Sequence, residues 1–131
     1  MTPEEAKQLI LIHAGMCDSP LAATAFIGSL RPFTGIREEN FHQIMEALQI
    51  LTPYLQQEQI DRELICALWS LCELTRAWGV DTSGMLVRNN LLSDSDKVSL
   101  KKWIDTISSA VLLILEKGSI EKSMNYTPPN K

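Results

Sequence analysis

The stretch IDRELICALWSLCELTRAW, Ile60 to Trp78, constrains this chain more than any other. At about 100° per residue, Ile60, Leu64, Ala67, Leu68, Leu71, Leu74, Thr75 and Trp78 fall on one broad helical face, and Ile65, Trp69 and Cys72 widen it on one side. Arg62, Glu63, Cys66, Ser70, Glu73 and Ala77 leave only a narrow strip for water. A helix apolar over more than half its circumference has to be covered by several neighbours. The stretch is therefore predicted to be the central buried helix, at 60–78, of a helical bundle.

The rest of the chain supplies the neighbours. Thr2-Pro3-Glu4-Glu5 reads as a helix start, with Thr2 as cap, Pro3 at the first position and Glu5 closing a capping box. This first helix is expected to reach Met16 and to bury Leu9, Ile10, Ile12, His13 and Met16. Ser19 and Pro20 open a second, from Pro20 to Leu30, whose Ala22, Ala23, Ala25 and Gly28 permit close packing. Pro32 and Gly35 place a loop before a third helix, Arg37 to Leu51, with Phe41, Ile44, Met45, Leu48 and Leu51 inward and Thr52-Pro53 as its break. After the central helix, Gly79 is predicted to take the left-handed capping position. A long connector, 79–93, follows, with Met85, Leu86 and Leu91 as its apolar plug. Ser93 and Asp96 then start a last helix carrying the stripe Leu100, Trp103, Ile104, Ile107, Ala110, Val111, Ile114 and Leu115.

No stretch alternates with period two, so the expected fold class is all-α: a single-domain bundle of about five helices over 1–118, with a flexible C-terminal tail at 119–131. A chain of 131 residues suffices for one core. The apolar run at Ala110–Leu115 falls far short of the roughly 20 residues that span a bilayer. The acidic N-terminus lacks the positive charge of a secretory signal, so the expected setting is cytoplasmic. Cys66 and Cys72 stand about 9 Å apart along one helix axis and cannot bridge each other, and Cys17 can pair with only one of them, which fits a reducing compartment.

The 12 basic and 16 acidic side chains give a net charge of −4, which argues against a nucleic-acid partner and suits a basic protein surface. Glu39-x-x-His42, flanked by Glu38 and Glu46, has metal-ligand spacing, but it lies on the polar face and the second copy that a di-metal bundle needs is missing. We therefore expect no metal and no cofactor. The chain has no phosphate loop, nucleophile elbow or Cys-x-x-Cys motif, so no enzymatic activity is expected.

What remains is a small acidic protein-binding module, in its most concrete version a bacterial immunity or toxin-neutralising protein. The partner-binding residues expected by elimination are Glu38, Glu39 and Glu46 on the third helix, Arg76 at the edge of the central apolar arc, and Arg88, Asn89 and Asn90 in the connector. Two alternatives stand beside it. One is a small-ligand sensor or enzyme, with a pocket between helices three to five and the connector holding Arg76, Arg88 and Asn89. The other is a scaffold that forms a homodimer through the last helix, where Leu112 and Leu113 point away from the main stripe.

Overall fold

Caps set where the helices begin. Thr2 Oγ1 accepts from the Glu5 N–H and Glu5 Oε1 accepts from the Thr2 N–H, both at 3.1 Å, so the predicted capping box is closed. The computed structural model describes residues 1–117 and Pro129, and there the chain is all-helical, with no strand among the described residues. Five α-helices follow in order: α1 Pro3–His13, α2 Glu38–Leu55, α3 Arg62–Gly79, α4 Met85–Arg88 and α5 Asp94–Leu115. The tail expected at 119–131 lies, Pro129 apart, outside the described residues.

Packing closes a ring. α1 lies against α2, α2 against α5, α5 against α3 and α3 against α1, while α4 adds a further contact to α3. The interior is one continuous apolar cluster, with Ile10 from α1, Ile44 and Leu48 from α2, Leu68 and Leu71 from α3, Leu86 from α4, and Leu100, Ile104 and Ile107 from α5. Phe41 and Trp103 stack across the α2–α5 seam, their centroids 5.9 Å apart and their planes 13° from parallel.

The helix expected at 60–78 runs instead from Arg62 to Gly79. Asp61 caps it, accepting from the N–H groups of Glu63 at 3.0 Å and Leu64 at 3.3 Å, and Ile60 is left outside and exposed. Its neighbours are α1, α4 and α5, and Leu64, Ala67, Leu68, Leu71 and Thr75 are buried among them. The side of the arc formed by Ile65, Trp69 and Cys72 is not closed over: Ile65 and Cys72 are half-buried and Trp69 is exposed. In a ring each helix turns one side outward, and this arc is wider than its neighbours can cover.

Five further expectations are corrected. The segment 20–30 is not an α-helix; it makes one 3-10 turn, Ala22–Thr24, within an irregular path. Groups from other elements take over its backbone. The Phe26 N–H donates to His13 Nδ1 at 3.0 Å, the Ile27 N–H donates to the His13 carbonyl at 3.0 Å, and Asn40 Nδ2 donates to the Thr24 carbonyl at 2.9 Å. On this path Phe26, Ile27 and Leu30 are all buried, so the segment reaches the core without a helical period. α1 in turn stops at His13, leaving Met16 exposed.

Pro53 does not break α2, which continues to Leu55 because both Leu51 and Leu55 reach the core; Thr52 Oγ1 donates to the Leu48 carbonyl at 2.8 Å beside the proline. Gly79 does not adopt a left-handed conformation. It is the buried last residue of α3, where a Cβ would stand 2.5 Å from Leu100 Cδ2, so its smallness lets α5 approach. In the connector Leu86 is fully buried, as a plug must be, but Leu91 is exposed and Leu92 takes the inward place. Ser93 caps α5 as expected, accepting from the Asp96 N–H at 3.1 Å.

A candidate protein-docking face

The residues singled out in the sequence fall into three separate places. Glu38 and Glu39 are exposed in the first turn of α2, where carboxylates meet the positive end of the helix dipole. Glu38 lies 3.9 Å from His42, and Glu46 is half-buried further along. Among the described residues no three His, Cys, Asp or Glu side chains converge as a metal site would require. Arg88, Asn89 and Asn90 are exposed at the end of α4, with Asn89 as its C-cap and Asn90 in the left-handed region at φ 55°. α2 packs on α1 and α5, and α4 packs on α3.

Arg76 stands at the third place, the seam between α3 and α5. Its Nη2 pairs with Asp105 Oδ1 at 3.0 Å and its Nη1 donates to Ser108 Oγ at 3.2 Å. Lys101 Nζ takes the other oxygen of Asp105 at 2.6 Å. These two cations, Lys101 foremost, hold the Asp105 carboxyl below its usual range. Arg76, expected to bind a partner, is engaged here in an ion pair between two helices of its own chain.

Beside that seam the outward sides of α3 and α5 form a half-open cleft of about 270 Å3. Ile65, Leu68, Trp69, Cys72, Val111 and Leu115 line it, with Glu73, Arg76 and Ser108 along the rim. Trp69 is 65% exposed, Leu112 58% and Leu115 40%. The Cys72 thiol, half-buried in the wall, is pushed above its ordinary pKa by that burial and is no activated nucleophile. Sequence reasoning placed Trp69 in the core. The signal that could have found it is its position at the edge of the arc, beside Cys66, Ser70 and Glu73 in the wet strip.

Two other clefts are more polar. One of about 440 Å3 lies where α1, the end of α2 and the start of α3 meet, lined by Glu4, Gln8, Tyr54, Gln57 and Gln59 among others. Its cation, Lys7, is held by Asp61 at 2.6 Å and Glu63 at 3.0 Å, which raises the Lys7 pKa and lowers that of Asp61. The other, about 310 Å3, opens between α1 and α2 over His13, Asn40 and Gln43. There His13 Nδ1 accepts from Phe26, so Nε2 carries the proton and donates to Gln43 Oε1 at 3.0 Å. With both ring nitrogens engaged, His13 joins elements together and is not poised for proton transfer.

Compared with protein-family models, with curated proteins and with solved structures, the chain matches none of them. No described helix is long and apolar enough to cross a membrane.

Proposed function

We propose that this chain is a protein-docking module that works through the α3–α5 face, and not a catalyst. The observation that carries the reading is Trp69: an indole 65% exposed at the wall of an apolar cleft, on a helix whose other side is packed into the core. Tryptophan is enriched among the few residues that dominate interface energies, and it acts best on a rigid element beside a pocket. Lone exposed apolar side chains are ordinary; Trp69 and Leu115 lining one cleft, with Leu112 exposed three residues before Leu115 on α5, are not. The sensor reading called for a pocket holding Arg76, Arg88 and Asn89, but Arg76 lies at the α3–α5 seam and the other two at the end of α4. The toxin-neutraliser version draws on size, acidity, the absence of catalytic motifs and a helical form, none of which points to a particular surface.

A photo-crosslinking residue in place of Glu73, at the rim of the cleft, is expected to trap protein on irradiation, with the yield falling sharply when Trp69 is also replaced by alanine. The same residue in place of Glu39 is expected to trap little. Crosslinking from position 39 or 88 but not from 73 would move the interface to the acids or to the connector.

A further inference from the structure

Resting on that reading, we infer that the occupant of the α3–α5 face is a second copy of this chain, in a two-fold dimer in which each Trp69 enters the cleft of the other subunit.

Charge is the first argument. The charged residues of the cleft itself, Glu73 and Arg76, cancel, and the Asp105–Lys101 pair beside Arg76 cancels too, so this rim is neutral while the whole chain carries −4. A surface built for a strongly basic partner would concentrate the acids here, whereas a mixed rim is complementary to itself when turned by a two-fold axis. Approach of two acidic chains is least opposed where the local charge cancels.

Area is the second. A tryptophan presents up to about 250 Å2, so Trp69, Leu112 and Leu115 together expose apolar surface on the order of 300 Å2. Leu112 and Leu115 are three residues apart on α5 and share its outward side. Half-buried Ile65 and Val111 extend the patch. A stable dimer needs about 800 Å2 from each partner, of which a little over half is apolar. The patch supplies most of that apolar share, and the mixed rim supplies polar surface around it.

Shape is the third. At about 270 Å3 and half open, the cleft is smaller than the roughly 300–1,000 Å3 of small-molecule pockets. It suits a single bulky side chain with its polar N–H left near the rim. Trp69, standing at the wall, is that side chain on a second copy.

The test is analytical ultracentrifugation of the full chain over a wide concentration range, with fluorotryptophan-labelled protein followed by 19F NMR. Dimerisation with a micromolar Kd is expected, together with a shift of the Trp69 resonance that tracks the dimer fraction. Trp69→Ala is expected to weaken association by about 30-fold or more, the loss typical of an interface anchor. Leu112→Lys should weaken it as well, and both variants should keep the wild-type circular dichroism because neither side chain is in the core. A dimer that survives both substitutions overturns the proposal, as does a monomer at every concentration. The monomeric outcome has two forms. A Trp69 resonance open to solvent removes the second copy and leaves the docking reading standing for a different protein. A Trp69 resonance shielded in the monomer means that the face is already covered within the chain, and then both fail.

Discussion

Two long connections join the helices of this bundle; both bury apolar side chains in the core, and the first adds buried polar anchors that the second lacks. The first, residues 14–37, is irregular; it buries Phe26, Ile27 and Leu30 in the core and is pinned by polar side chains as well. His13 takes the Phe26 N–H, Asn40 gives a proton to the Thr24 carbonyl, and Ser29 Oγ, itself buried, donates to the Phe26 carbonyl at 3.0 Å. The second, residues 80–93, is pinned by an apolar plug. It winds into α4 so that Leu86 drops fully into the core, and the Gly84 backbone passes so close to α3 that a Cβ would meet the Ala77 carbonyl oxygen at 2.5 Å. Hydrogen bonds are directional and depend on protonation; apolar burial is neither. The first connection should therefore be specific in path and sensitive to pH, and the second robust to pH but intolerant of lost volume.

The largest effect is expected at the plug. Leu86→Ala removes a fully buried side chain from the meeting point of α3, α4 and α5 and should cost about 2–5 kcal/mol. Urea denaturation at neutral pH measures it. A loss below about 1 kcal/mol would mean that the connector carries no load and that the contrast between the two connections is false.

That contrast also separates what was legible in the sequence from what was not. The α1 capping box, the Ser93 cap and the α5 stripe as far as Ile114 were legible because each is local, set by residues three or four apart, whereas Leu115, expected in that stripe, is exposed. The path of 20–30 was not. Its decisive partners are His13 and Asn40, which stand 13 residues before Phe26 and 16 after Thr24, and no helical period records such a pairing. Gly79 looked like a left-handed cap from its place after an apolar run, but its role depends on Leu100 of another helix. Trp69 failed for a third reason. A helical wheel shows how wide an apolar arc is, not how many neighbours are present to cover it. Arg76 was legible as a cation at the edge of the arc, but its partner was not, since Asp105 lies 29 residues away.

On the polar side, Asn40→Ala should come next in size. It leaves the Thr24 carbonyl without its side-chain donor in a part-buried place, a loss of about 1–3 kcal/mol. Faster amide exchange confined to the first connection would accompany it. The acid response belongs to His13. Burial lowers its pKa below the ordinary histidine value of 6.5, with the Gln43 hydrogen bond opposing that only in part. The neutral ring is the one that fits, because Nδ1 must stay an acceptor for Phe26. The charged side chains over it, Arg37 and Glu39, sit in the same cleft with opposite signs. Since the folded-state pKa lies below the unfolded one, His13's contribution is complete above about pH 6.5. It is lost as pH falls from there toward the lower folded-state value, where the unfolded chain binds the proton first. Unfolding midpoints at pH 7.5 and 5.5 are expected to differ in wild type and to differ less in His13→Gln, whereas Leu86→Ala should keep the wild-type pH difference. An equal pH response in the His13 variant would assign the acid sensitivity to other groups.

The smallest effect is expected at Asn90, and it bears on whether the connector recognises anything. Asn90 is exposed with φ 55°, and its N–H donates to the Val87 carbonyl at 3.1 Å as the chain leaves α4. The first connection makes its own left-handed turn at Gly15, φ 74°, just past the end of α1. Asparagine is the non-glycine residue that best tolerates this conformation, so a conformational role explains Asn90 without any partner. Asn90→Gly should then change stability by no more than about 0.5 kcal/mol, while Asn90→Val, β-branched and strained at positive φ, should cost about 1–2 kcal/mol. Neither should alter association through the α3–α5 face. If Asn90→Gly, folded and as stable as wild type, abolished crosslinking from position 73, the side chain itself would be part of recognition. The second connection would then have to be counted as binding surface as well as plug.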